Sequence, residues 1–246
     1  MTNVTKSVID MFKDGFETVK ENPILIVLGI VAGIASFGSE AGEQVEIPEL
    51  VIIASLISFF LTYLVHAAIH IEHSNRMQGK SVDVVDRIIS RFISLFGVGL
   101  GYFTVVFIGL IFFILPGIYA ALKLYPAFAI CVIEDRRAIE SLKTSWSYTG
   151  GNLLKVLGIV ALSVILTVGI VLVAGFAMVV GVLSGSMAFL AITAVGLLAA
   201  VVIMTVIELT VEGAVADFVV EAGEETTTET EVQEEGIEND EYSVEF

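Results

Sequence analysis

Six apolar runs, each set off from the next by a charged or turn-forming gap, restrict this chain to a membrane fold before any single residue is weighed. They cover residues 23–37, 50–71, 92–115, 118–133, 153–183 and 188–207. A helix crosses the hydrocarbon core with roughly 20 apolar residues, so most of the runs are long enough to span. The first and fourth are short and need a thinned bilayer edge or flanking residues. A water-soluble domain would carry about 25% charged residues, whereas this chain carries 16%, against 56% hydrophobic. The basic residues are also sorted. Eleven of the twelve Lys and Arg residues lie before run one, between runs two and three, or between run four and the first turn of run five, where Lys155 stands. The twelfth, Lys123, lies inside run four. Basic residues are retained on the cytoplasmic side, so the pattern predicts six transmembrane helices in the cell membrane with both termini cytoplasmic. Schemes with five or seven spans do not sort the charges as cleanly. The predicted fold class is all-α and polytopic, with cytoplasmic amphipathic helices.

The gaps carry a pattern of their own. Val8, Phe12, Phe16 and Val19 recur at helical steps among Lys13, Asp14, Glu17 and Lys20, which predicts an amphipathic helix lying in the membrane interface and not a cleavable signal peptide. Asn22-Pro23 then restarts a helix, with Asn as cap and Pro at the first position, where its missing N–H is harmless. Val85, Ile88, Ile89 and Phe92 mark a second amphipathic helix, and Ala138, Leu142 and Trp146 a third, ended by Gly150-Gly151. The segment 39–49 holds four glutamates and no base and reads as an external loop. Residues 221–246 hold eleven acidic residues and no basic one, which predicts a disordered cytoplasmic tail behind a membrane domain of residues 1–220. The net charge of −16 resembles that of proteins adapted to high salt. Cys131 is the sole cysteine, so no intrachain disulfide forms.

Runs one, three and five each follow an amphipathic helix and precede a returning run. Phe16 to Val31 and Trp146 to Val160 match best: an aromatic residue stands six positions before Asn in both, and VLGIV recurs. All three units enter from one side, so the pattern is a parallel hairpin repeat and not the inverted repeat of many transporters.

The stretch 115–160 reads LPGIYAALKLYPAFAICVIEDRRAIESLKTSWSYTGGNLLKVLGIV. Its Pro116-Gly117 pair predicts a tight turn, and Pro126 predicts a bend in run four. LPGIYAALKL, VIED and AIESLKTSWSYTGGN followed by LLKVLGI resemble the membrane domain associated with glycerophosphoryl diester phosphodiesterases and its stand-alone relatives. The matching positions are Pro116, Gly117, Lys123, Ala138, Leu142, Ser145, Trp146 and Asn152, with Ser141 one step before Leu142. The resemblance is strong over about a third of the chain, from Ser81 to Val160. It implies a six-span helical fold. It does not imply phosphodiesterase activity, because the soluble barrel with its metal ligands does not occur in these residues.

Two constellations carry chemistry. His66, His70 and His73 are all the histidines present, and at 100° per residue they fall within an arc of about 60° on one helix face. That spacing suits metal ligation, but no HExxH motif or nearby carboxylate pair completes it, and the alternative is a helix turning polar as it leaves the membrane. Lys123 is the one charge well inside an apolar run, where ionisable residues are costly and often functional. It lies about 10 Å past Pro116, so it either snorkels to the external interface or serves a polar cavity or headgroup site. Gly29 with Gly33, and Gly97 with Gly101, permit close helix approach, within the monomer or in a dimer. Trp146 and Tyr148 suit an interfacial belt.

No catalytic residue set and no cofactor motif emerges, and Ser184-Gly185-Ser186 lacks a nearby base. Nucleic-acid binding is disfavoured, since basic residues occur only in the sorted gaps. Membrane lipids are the expected partners. The leading expectation is a non-enzymatic integral membrane protein that organises lipids or partner proteins. The alternative is a small transporter or permease-like component with a polar site around Lys123, and an unrecognised membrane enzyme comes third.

Overall fold

The computed structural model describes residues 4–44 and 48–241, with side chains placed except at 36–44, 50, 190 and 227–241. Among these residues every regular element is a helix. Helix α1 (Val8–Glu21) starts at Ser7, whose hydroxyl accepts from the Asp10 N–H at 3.2 Å. It ends at Asn22, whose side-chain amide donates to the Thr18 carbonyl at 3.0 Å. Asn22 closes α1 with its side chain, while its carbonyl accepts from the Leu25 N–H at 3.0 Å in the first turn of the next helix. Pro23 opens α2 (Pro23–Gln44) after a bend of 92°.

Helix α3 (Pro48–Gln78) runs well past the expected end of the second span and stops at Gly79, with φ of +61°. Helix α4 (Val84–Phe112) joins the second amphipathic segment to the third span without a break, capped by Asp83 accepting from the Asp86 N–H at 2.8 Å. Most of the expected external loop 39–49 is helical, in α2 and the first residues of α3, and 45–47 lie outside the described residues.

The expected turn at Pro116-Gly117 is displaced. The chain reverses at Phe113, which is extended, and α5 (Ile114–Leu124) already contains both residues. Pro116 sits in the first helical turn, where a missing N–H breaks no bond. Gly117 is there for contact: a Cβ on it would lie 2.7 Å from the Leu110 nitrogen, and one on Gly109 would lie 2.8 Å from the Gly117 Cα. Helices α4 and α5 thus cross backbone against backbone. Pro126 does interrupt run four, separating α5 from α6 (Ala127–Ile133). Helix α7 (Ala138–Tyr148) follows, then α8 (Leu153–Leu183) and α9 (Met187–Glu241).

Helix α9 runs across the expected domain boundary. It continues through residue 221 to Glu241, about 80 Å at the helical rise. Ala222 is fully buried, and Glu221 accepts from the Lys6 N–H at 2.9 Å and the Thr5 hydroxyl at 2.7 Å. The apolar stripe of Phe218, Val219 and Ala222 continues beneath the first acidic residues. Residues 242–246 of the expected tail lie outside the described residues.

Among the described residues five helices are long and apolar enough to cross a membrane, or six if the bent pair α1–α2 forms one span. Their packing is uneven. Buried side chains gather at the end of the bundle that holds α1 and α7, including Met11, Ile69, Leu95, Ile130, Ile159 and Phe218. Toward the other end, the walls of α8 and α9 are almost wholly exposed, as expected of helices that meet lipid tails. At the packed end α1 crosses α9 at Gly15 and Gly213: a Cβ on Gly15 would lie 2.5 Å from the Thr210 carbonyl oxygen. The two glycine pairs also face inward. Gly29 and Gly33 lie on Thr205 and Val201 of α9, and Gly97 and Gly101 on Ala138 and Leu142 of α7.

Candidate functional site

The three histidines of α3 do not mark a solvent-exposed exit. His70 is 1% and His73 0% exposed, and both face α9. There, three isolated acids, Glu208, Glu212 and Asp217, continue the same stripe that carries the apolar contacts. His66 Nε2 lies 3.0 Å from Glu208 Oε1 and its Nδ1 3.7 Å from Glu212 Oε1. His70 Nε2 lies 3.2 Å from Glu212 Oε2, and His73 Nε2 3.4 Å from Asp217 Oδ1. The His73 Nδ1 meets the Thr18 hydroxyl of α1 at 2.9 Å, and the His70 ring leans on Phe128. The result is a ladder of imidazole–carboxylate pairs along the α3–α9 seam.

The N-terminal arm completes the ladder. Lys6 Nζ lies 2.6 Å from Asp217 Oδ2 and also pairs with Asp14. Burial alone would lower the Lys6 pKa, but the hydrogen bonds to Asp14 and Asp217 outweigh it, and the ammonium is held above its ordinary value. The arm is strapped down from α8 as well. Asn152 accepts from the Val4 N–H at 3.0 Å, and Lys155 donates to the Val4 and Lys6 carbonyls. Asn152, named from sequence as a candidate, is thus a buried anchor for the arm. Nearby, Tyr148 donates to the Glu134 carboxylate at 2.7 Å, and burial, then that neighbouring charge, pushes its phenol up.

Among the described residues, no group of three or more His, Cys, Asp or Glu side chains is arranged to hold a metal ion. The histidines and carboxylates follow one another along the seam, with Glu212 shared by His66 and His70.

Lys123 does not snorkel. It is 4% exposed, and its ammonium lies 3.4 Å from the Trp146 carbonyl, 5.6 Å from the Trp146 ring and 5.7 Å from the Tyr119 ring. Among the described residues no carboxylate pairs with it. The break at Tyr125-Pro126 explains this, since it lays α7 across the end of α5 and offers aromatic faces and a carbonyl nearer than any interface. The Lys123 carbonyl, orphaned at the end of α5, accepts from the Ser145 hydroxyl at 2.9 Å and the Thr149 hydroxyl at 3.1 Å. Pro126, Ser145 and Trp146 therefore serve one joint between α5 and α7.

A groove of about 1030 Å³ opens between α2, α3, α8 and α9. Gly29, Ala32, Ile170, Ala174, Met178 and Ala194 form apolar walls, while His66 and Glu208 stand at one end. A smaller cavity of about 280 Å³ lies on another side of His66, lined by Tyr63, Tyr102, Tyr125, Phe128 and Glu212. Lys123 lines neither cavity.

The histidines stand out in the sequence as a constellation, whereas Glu208, Glu212, Asp217 and Lys6 do not. The available signal was the spacing of the acids at i, i+4 and i+9 along α9, opposite histidines at i, i+4 and i+7. No protein-family model matches the chain, and no curated protein or solved structure was found to match it.

Proposed function

We propose that this is a non-enzymatic integral protein of the cell membrane that takes a lipid-class amphiphile from the bilayer into the groove between α2, α3, α8 and α9. The observation that carries the reading is the groove, apolar along its walls and polar at one end. Its volume lies at the top of the usual range for small-molecule sites, about 300–1,000 Å³. Exposed apolar side chains on α1 (Ile9, Phe16), at the start of α4 (Val85, Ile89) and on α7 (Ile139) suit helices resting on a lipid surface. The resemblance to the phosphodiesterase-associated membrane domain belongs to the same reading. Bound lipid settles the matter: protein extracted in mild detergent is expected to carry about one amphiphile per chain by native mass spectrometry. An Ala174→Phe variant, filling the groove, is expected to lose it while keeping its thermal stability. Wild-type protein without bound lipid would defeat the proposal.

A second reading, transport, is favoured by the position of His66 between two cavities. Its polar site is then the His66, Glu208 and Glu212 cluster and not Lys123.

Both readings use six spans with cytoplasmic termini. Single cysteines at Glu43 and Ser184, in a Cys131→Ser background, are expected to react with an impermeant thiol reagent on intact cells. Cysteines at Lys80 and Lys143 are expected to react only after lysis. Labelling of the Lys80 position from outside would overturn the arrangement.

A further inference from the structure

The groove has a chemistry beyond its size, because its polar end sets a carboxylate beside an imidazole. Among the described residues His66 and Glu208 are the only ionisable side chains that line it, and neither Lys nor Arg does. Behind them, Glu212 lies between His66 and His70. With both imidazoles neutral the four groups carry two negative charges, and with both protonated they carry none. The end of the groove is never positive.

Glu208 is the accessible member of the set. Its side chain is 56% exposed, and His66 engages only its Oε1. The apolar wall on α9 extends from Glu208 back to Ala194, about 21 Å at 1.5 Å per residue, enough for a long alkyl chain. Val171, Met178 and Leu198 line the groove while exposing about half or more of their surface, so an apolar chain can enter from the side. A phosphate or carboxylate headgroup at the polar end would meet like charge with no basic partner. An ammonium would meet a carboxylate with free lone pairs in a partly dehydrated setting, where a charge-assisted hydrogen bond is strongest.

We infer that the groove selects amphiphiles whose headgroup is a protonated amine, with Glu208 as its counter-ion and the α2–α3–α8–α9 walls holding the chain. The inference rests on the amphiphile reading and adds the sign of the headgroup. It is tested on the full chain in non-ionic detergent, with dodecylamine, dodecanol and dodecyl phosphate as probes and native mass spectrometry as readout. Dodecylamine is expected to be retained at least tenfold more tightly than dodecanol, with dodecyl phosphate weakest. Glu208→Gln is expected to reduce the amine to the level of the alcohol. Dodecanol retention by the Glu208→Gln protein is expected to match wild type, which guards against a variant that misfolds. Equal retention of all three probes, or tightest retention of the phosphate, overturns the assignment while leaving an amphiphile site in place. Retention of none overturns both.

Discussion

An Asp217→Leu variant is expected to lose the packed end of the bundle. Asp217 is 1% exposed and faces two partners of the seam at once, the Lys6 ammonium at 2.6 Å and the His73 imidazole at 3.4 Å. Removing one member of a buried pair costs about 3–5 kcal/mol, because the other is left without a counter-charge. That is a large part of the 5–15 kcal/mol that holds a typical domain folded. The N-terminal arm should detach with it, which limited proteolysis reads as new cleavage before Val8. Lys6→Met combined with Asp217→Leu should recover much of the loss, since neither charge is then buried alone. The Lys6 pKa is raised, so the stability this pair contributes is complete below the ordinary lysine value of 10.5 and is lost only as pH rises through the higher folded value. Thermal unfolding of wild type should therefore show no loss from this pair between pH 7 and 9. A single Asp217→Leu variant as stable as wild type would show that the ladder contributes nothing to the fold.

Gly15→Val is expected to be as damaging through sterics. A Cβ at Gly15 would stand 2.5 Å from the Thr210 carbonyl oxygen and 2.9 Å from the Ala214 nitrogen, and both are backbone atoms of α9. Backbone in the middle of a helix cannot rotate aside as a side chain can. Helix α1 would have to lift, breaking the Thr18–His73 contact and exposing Met11 and Val19, both buried. Burying a Val or Met side chain is worth about 1.5–3 kcal/mol each, so a loss of several kcal/mol is expected. Gly33→Ala serves as the control, because its nearest neighbour is a side-chain carbon 4.0 Å away. Equal melting temperatures for Gly15→Val and Gly33→Ala would show that α1 does not press on α9.

Helices and their apolar faces were legible because both signals are local. Each apolar run reports its own transfer free energy, and each amphipathic stripe its own period, without reference to any other part of the chain. The merged α4 and the long α9 were not legible, because a change from apolar to polar residues marks where a helix leaves lipid and not where its hydrogen bonds stop. Pro116-Gly117 reads from sequence as a turn, while the crossing with Gly109 decides that the pair begins a helix. Lys123 was placed at a depth, and depth along a helix carries no information about what lies beside it.

The sequence by itself determined that this chain is helical, that several of its helices can cross a membrane, and that His66, His70 and His73 share one face. Only the tertiary structure decided what that face meets. His66 and Glu208 stand 142 positions apart, and they meet because α3 and α9 pack along one seam. Burial is the reason that packing outweighs sequence here. A histidine at a water-exposed helix end needs no partner, whereas one with no exposure must find a carboxylate or hydroxyl, and which one it finds is settled by where distant helices cross.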